Sequence, residues 1–354
     1  MNQMTRRGFA LGAVSSVAIP SVFADADIES SALTAAKKWF REAQYGMMLH
    51  WGLYCLPAGE WKGRRMEDIG EWAQQYFRVP NEEYHKLVAA FNPVLFDAEE
   101  WVRTAQDAGM RYMVFTAKHH EGFAMYHSRV SRFNVVDATP FGRDIVMELA
   151  EACAKYGMKL GLYYSQDLDW SHPDGGGYTV GKTWCDGKAY WTNNWDFPDT
   201  AKKDYTRCFE EKIKPQVTEL LTGYGDLCLI WFDTPFTISP AQTDELYALV
   251  KHYQPGCLVN SRIGNGYGDY ASAGDNEIPD DDKGAMLFET PATLNDTWGY
   301  KSFDNNWKSP QEVADLRRHL NERHINYLLN VGPDALGRLP APACSILREA
   351  AKLF

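Results

Sequence analysis

No two cysteines in this chain stand in a Cys-x-x-Cys pair. The seven (Cys55, Cys153, Cys185, Cys208, Cys228, Cys257 and Cys344) are scattered and odd in number. That spacing argues against a disulfide framework and against a thiolate zinc site. Cys228 and Cys257 sit inside apolar runs and read as small core residues. No basic run relieves a formal charge of −11, which speaks against nucleic acid or an anionic membrane surface as partner. A Gly-x-Ser-x-Gly elbow, the mark of one class of serine nucleophile, is missing. So are His-x-His and His-x-x-x-His pairs, which counts against a catalytic metal. Nothing calls for a cofactor. Beyond the first residues no segment is long and apolar enough to span a bilayer, and no repeat or low-complexity linker divides the chain.

Aromatic residues, by contrast, are plentiful: 12 Trp, 19 Tyr and 17 Phe. Large cores use such rings, and that covers most of them. Sugar sites also use them as flat apolar platforms. The chain opens with Arg6 and Arg7, a mildly apolar stretch to Ala18, and a Val22-Phe23-Ala24 end. A basic region, a short apolar region and a small-residue cleavage site make residues 1–24 an export signal. The paired arginines resemble a twin-arginine signal, with a plain Sec signal as the alternative. The expectation is a periplasmic or secreted protein with one catalytic domain over residues 25–354.

The chain centres on Leu227–Asp233, an apolar run typical of a strand buried on both faces. It ends in a carboxylate just before Thr234-Pro235. A buried charge without a partner is costly, so Asp233 is expected at the strand's C-terminal tip, where a β/α barrel places its active site. Capping of a following turn is the competing role. Other strands are expected at Tyr45–Leu49, Tyr112–Ala117, Met158–Ser165, Cys257–Asn260, Met286–Glu289 and Ile325–Val331, alternating with helices near 33–44, 97–109, 144–157, 204–223, 243–253 and 309–324. Residues 264–284 show no periodicity. About seven strand–helix alternations indicate a (β/α)8-like, TIM-type barrel with one element missing or irregular.

Several strands end in polar residues: His50, then Lys118-His119-His120-Glu121, Tyr164, Asp233, Arg262 and Glu289. Alternation lets only one of two neighbouring histidines point inward from a regular strand, so His119 and His120 reach one site only if that strand has bent. Hydrolysis of a glycoside by two carboxylates, with histidines and an arginine on sugar hydroxyls, accounts for more of these tips than a serine or metal hydrolase does.

In combination these motifs resemble the α-L-fucosidases of glycoside hydrolase family 29, over nearly all of residues 33–340. Leu49-His50-Trp51-Gly52-Leu53-Tyr54 looks like the family's first-strand block and Glu71-Trp72 like its sugar-binding pair. Lys118-His119-His120-Glu121-Gly122-Phe123 is similar to its Lys-His-His-Asp-Gly-Phe, with Glu for Asp. Gly161-Leu162-Tyr163-Tyr164-Ser165, Ile230-Trp231-Phe232-Asp233, Asn260-Ser261-Arg262, Trp298-Gly299-Tyr300 and Leu328-Leu329-Asn330-Val331-Gly332-Pro333 complete the set. The resemblance implies a retaining exo-α-L-fucosidase acting on a fucosylated oligosaccharide or glycoconjugate, with Asp233 as nucleophile. It implies sugar contacts at His50, Glu71, Trp72, His119, His120, Tyr164, Trp231, Arg262 and Trp298, with Arg262 holding Asp233 ionised.

The departure lies in the acid/base. The family places a glutamate shortly after a Gly-Asp-Tyr/Phe block. Here Gly268-Asp269-Tyr270 is followed by Ala-Ser-Ala-Gly-Asp275-Asn-Glu277-Ile-Pro. Glu277 is the first choice, Asp275 the second and Glu289 the third. The β-sandwich that commonly follows the barrel is not expected. An α-L-galactosidase, or a fucose-binding protein that has lost hydrolysis, are the alternatives. Linkage and oligomeric state are not legible.

Overall fold

The computed structural model describes residues 30–178, 191–272, 274–279 and 286–354. The expected export signal, Cys185 and the acids Asp280, Asp281 and Asp282 lie outside the described residues.

Eight parallel strands form one curled sheet. They are β1 (Tyr45–Leu49), β2 (Tyr112–Lys118), β3 (Lys159–Tyr164), β4 (Leu229–Phe232), β5 (Leu258–Val259), β6 (Ala271–Ser272), β7 (Phe288–Thr293) and β8 (Ile325–Val331). Their order is β5-β4-β3-β2-β1-β8-β7-β6. The two outer strands meet through a parallel bridge between Asn260 and Tyr270, with Ser261 N donating to Tyr270 O at 2.9 Å. A narrow seam thus brings the ends of the sheet together. The expected barrel is present, and its irregularity falls at this seam. β6 is the strand that periodicity missed, because two residues carry no alternation to detect. The expected strand at Met286–Glu289 is displaced, running instead from Phe288 to Thr293, so Glu289 lies near its start and not at its tip.

Pleating divides the apolar side chains in two. Met48, Val114, Tyr163, Trp231 and Leu328 pack inside the ring, while Met47, Phe115, Leu162, Ile230 and Leu329 pack outward with the helical layer. Each of the larger of these contributes about 1.5–3 kcal/mol on burial.

The longer helices begin at side-chain caps, and those expected from residues 33 and 243 start two and three residues earlier. α1 (Ser31–Ala43) takes Ser30 as N-cap, α2 (Ala98–Asp107) takes Asp97, and α3 (Ile145–Tyr156) takes Asp144 and stops at left-handed Gly157. α5 (Pro240–Tyr253) and α6 (Pro310–Glu322) begin with capping boxes, Ser239/Gln242 and Ser309/Glu312; such caps contribute about 1 kcal/mol each. α4 (Lys214–Gly223) is preceded by a π turn over Phe209–Ile213, where Pro215 denies the helix a backbone donor. The chain closes with α7 (Ala341–Ala351). α1 also plugs the barrel floor, its Phe40 ring lying 4.5 Å from Tyr270 and 5.9 Å from Tyr112. Apart from the barrel sheet, the described strands form only a two-residue hairpin at 60–65, so the described residues hold no β-sandwich. Among them no helix is long and apolar enough to cross a membrane.

Candidate active site

Asp233 follows the last residue of β4, at the C-terminal mouth of the barrel. Its side chain is 15% exposed, enough to be reached from solvent. Oδ2 accepts the Tyr163 hydroxyl at 2.9 Å, and Oδ1 accepts Arg262 Nη1 at 3.1 Å. Gln166 sets the backbone on both sides of this pair. Its Oε1 accepts from Asp233 N at 2.8 Å and its Nε2 donates to Arg262 O at 3.0 Å. Directly after Asp233 the chain turns through Thr234 at φ 55°. That left-handed conformation is uncommon for a β-branched residue, and strain of this kind collects at functional sites.

Arg262 comes from the short turn after β5 and reaches a second acid. Its Nη2 donates to Asp275 Oδ1 at 2.6 Å. One guanidinium therefore spans the two carboxylates, and their charges more than offset the burial that would otherwise lower its pKa. Asp275 is 38% exposed and sits on the solvent side of Asp233. Glu277, the first choice from sequence, is exposed and folds back toward Gly274. Between the two acids Asn276, at φ 57°, turns the loop, and its N–H donates to Pro291 O of β7 at 2.9 Å. Glu289 is fully buried inside the ring, with Oε1 on Trp231 Nε1 at 2.8 Å and Oε2 on the Tyr112 hydroxyl at 2.7 Å. It is not placed to deliver a proton to a mouth-bound substrate.

The aromatic rings make a column beside Asp233. Trp231 stacks on Tyr163 and Tyr163 on His119, each pair with centroids 5.5 Å apart. His119 and His120 are 4.0 Å apart and both face this site. The bend this requires is visible as a register shift between Thr116 and Lys118. His120 fixes its ring through Nδ1 to Ser165 Oγ at 2.7 Å, and its Nε2 lies 3.9 Å from Asp233 Oδ2. His50 is held by Asn330 Oδ1 at 2.8 Å and lies 5.1 Å from Trp298. Burial pushes His50 down to about 4 and His119 and His120 well below the usual range. All three are therefore neutral rings near pH 7, able to donate and accept. His119 Nδ1 is buried without a protein partner.

Glu71 and Trp72 enter from the long connection after β1, as expected. Glu71 Oε2 accepts from Gly299 N at 2.7 Å, and burial pushes its carboxyl up to about 8. Trp72 packs 5.0 Å from His120. Gly52 is required by space and not by backbone conformation. Its backbone is extended, but a Cβ would come within 2.3 Å of Glu121 Oε1.

One expected contact is displaced. Tyr164 points outward, its hydroxyl donating to Gln216 Oε1 at 2.8 Å and its ring 4.7 Å from Lys118 Nζ. The inward residue is Tyr163, one position earlier, because successive strand residues face opposite sides. Gln166 and Tyr163 were missed. Alternation counted back from Trp231 along the paired strand (Tyr163 lies opposite it) carries the signal for Tyr163. Gln166, in an irregular turn, has none. Among the described residues no set of three His, Cys, Asp or Glu side chains is arranged to hold a metal ion.

Two carboxylates bridged by an arginine, at the mouth of a β/α barrel lined with rings and neutral histidines, form an arrangement of the kind that glycoside hydrolases use. A family model described as alpha-L-fucosidase matches residues 15–353. The chain belongs to the α-L-fucosidase family. It is 51% identical to the unliganded α-L-fucosidase AlfC from Lactobacillus casei, with TM-score 0.86, covering 90% of this chain and 98% of that one. An AlfC variant in complex with Fuca(1,6)GlcNAc superposes with TM-score 0.85 at 50% identity, covering 89% of this chain and 97% of that one. A putative alpha-L-fucosidase from Caenorhabditis elegans is 30% identical over 329 residues, 86% of this chain. The chain spans only 62% of the length of that relative and 64% of the rat tissue enzyme.

Proposed function

We propose that this protein is a retaining exo-α-L-fucosidase, with Asp233 as nucleophile and Asp275 as acid/base. The observation that carries the assignment is the Arg262 bridge, which gathers these two acids at one mouth and leaves Glu277 and Glu289 out. In the first displacement Asp233 bonds to the anomeric carbon of fucose while Asp275 gives its proton to the departing glycosidic oxygen. In the second, Asp275 takes a proton from water, the hydroxide oxygen bonds to the same carbon, and the Asp233 ester bond breaks. Tyr163 and Arg262 hold the two oxygens of Asp233, which fixes the direction of attack. His50, His119, His120 and protonated Glu71 offer donors and acceptors to the ring hydroxyls, and the Trp72 and Trp298 rings supply apolar wall for the C6 methyl. A wall too close to admit a hydroxymethyl would separate fucose from L-galactose.

Similarity to an enzyme crystallised with Fuca(1,6)GlcNAc makes α(1,6)-fucosylated GlcNAc the first substrate to try. The paired arginines at residues 6 and 7 support export in folded form, hence a periplasmic or secreted enzyme. The test is release of L-fucose from an aryl α-L-fucoside and from a panel of α1,2, α1,3, α1,4 and α1,6 linkages, with the anomer followed by NMR. Initial release of α-fucose is expected. Initial release of β-fucose would overturn retention, and tight fucose binding without turnover would favour the binding-protein reading. Loss of an intact N-terminal segment on export from a bacterial host, dependent on Arg6 and Arg7, tests the address.

A further inference from the structure

Glu289 is an acid without an assigned task. It projects into the barrel from the second position of β7, is fully buried, and its two oxygens accept from two aromatic donors, Trp231 Nε1 and the Tyr112 hydroxyl. Burying a carboxyl is costly, and the floor beneath it is built mainly of rings, those of Phe40, Tyr112 and Tyr270. Shape alone would be served by a leucine. What a leucine would not supply is an acceptor for the Trp231 indole, which can only donate.

Trp231 is the side chain on which the grip on Asp233 rests. Its ring stacks on Tyr163 at an interplanar angle of 18°, and the Arg262 guanidinium lies 4.7 Å from its centroid. Those two residues are the ones that hold Asp233 Oδ2 and Oδ1. We propose that Glu289 is a positioning residue for the nucleophile: by fixing the indole of Trp231 it fixes the Tyr163 hydroxyl and the Arg262 guanidinium, and through them the orientation of Asp233. The proposal rests on Asp233 being the nucleophile.

The hydrogen-bond chemistry fits either charge state of Glu289. Burial pushes its carboxyl up to about 7. When protonated, it can keep the bare oxygen toward the indole and give the proton to Tyr112, whose hydroxyl accepts as readily as it donates. The link to Trp231 survives in both forms, which separates this role from proton delivery.

Two variants test it. Glu289→Gln keeps an acceptor oxygen for Trp231 and turns its amide N–H toward Tyr112; its kcat on an aryl α-L-fucoside is expected within about threefold of the parent. Glu289→Leu removes the acceptor, and a loss of about 100-fold in kcat with KM little changed is expected, the size that a displacement of about 1 Å at a reacting group produces. Azide should not rescue the Leu variant, because water activation by Asp275 is intact. Equal kcat for Leu and parent, with folding confirmed by circular dichroism, overturns the proposal. So does a Gln variant as damaged as the Leu variant and rescued by azide, which would make Glu289 the acid/base. An independent arm follows the Trp231 indole N–H resonance, identified as the one missing from Trp231→Phe. It should shift or broaden in Glu289→Leu and stay near its position in Glu289→Gln. This readout needs no turnover, so an inert parent enzyme would sink the fucosidase reading while the indole resonance still decides whether Glu289 holds Trp231. An unchanged resonance in the Leu variant overturns the proposal.

Discussion

Tyr163 donates its phenolic hydroxyl to Asp233, whereas Tyr164, its neighbour in sequence, donates to Gln216 on the opposite side of the sheet. Two adjacent tyrosines thus serve the mouth and the outer layer separately. Tyr163→Phe removes a hydrogen bond to a charged group, so kcat/KM should fall about 10- to 100-fold with stability little altered. Tyr164→Phe should leave kcat/KM within about twofold while lowering unfolding free energy by about 1 kcal/mol. Steady-state kinetics and urea titration on both variants check the pair, and the reverse pattern would put Tyr164, and not Tyr163, at the mouth.

The two loop acids can be told apart by leaving group. Asp275→Asn should lose activity steeply on poorly activated fucosides, keep more of it on an activated aryl fucoside, and recover with azide, which needs no general base. Glu277→Gln should behave as the parent enzyme on all substrates. If azide rescued the Glu277 variant instead, the proton donor would be Glu277 and the Arg262 bridge would have another purpose.

Behind His119 and His120 lies a buried charge cluster. Asp169 sits 2.9 Å from Lys118 Nζ and 2.7 Å from Lys212 Nζ, with Asp169 and Lys118 fully buried. Burial alone would raise the Asp169 carboxyl, but the two ammonium groups outweigh it and hold it well below the usual range. Asp169→Asn strands two buried cations, and a loss of about 3–5 kcal/mol of stability is expected from urea unfolding. A loss below about 1 kcal/mol would show that solvent reaches the lysines.

Stability should fall between about pH 6.5 and pH 8.5. Burial pushes Glu71 up to about 8, Glu121 and Glu289 up to about 7, and Asp167 up to about 6. Unfolded carboxyls ionise near about pH 4, so over this range the folded chain holds protons that the unfolded chain has released, and unfolding becomes easier as pH rises. His50 and His85, pushed down to about 4 by burial, act the other way. Their contribution is present above about pH 6.5, where the unfolded histidines are neutral, and is lost as pH falls toward 4. Between about pH 6.5 and pH 8 the carboxyls set the slope, and toward pH 8.5 Lys203, pushed down to about 8 by burial, begins to oppose them. Thermal unfolding across that window should show a falling Tm, flattened in Glu121→Gln; a flat or rising parent curve would contradict the burial of these acids.

How far the sequence could be read follows from what periodicity can carry. Long apolar strands such as Tyr112–Lys118 and Ile325–Val331, and helices with Ser or Asp caps, announce themselves through pattern and capping chemistry. Asp233 was legible because a carboxylate that ends an apolar run is costly there unless a partner or a task holds it. The Tyr163/Tyr164 choice was not, since both are tyrosine and a slip of one residue reverses the face. The order of preference among Glu277, Asp275 and Glu289 was not legible for a different reason. β6 is two residues long and the 274–279 loop is irregular, so only the three-dimensional reach of Arg262 selects one acid among several.

That reach also has a consequence over the catalytic cycle. While Asp233 carries its negative charge, the guanidinium is divided between two partners. In the proposed double displacement, esterification of Asp233 would remove its charge and leave the guanidinium to Asp275 alone, at the step in which that carboxylate would draw a proton from water. When that ester broke, Asp233 would regain its charge and the cation would again be divided between the two carboxylates. A single side chain from a three-residue turn would then act as the counterweight that resets the enzyme after every sugar.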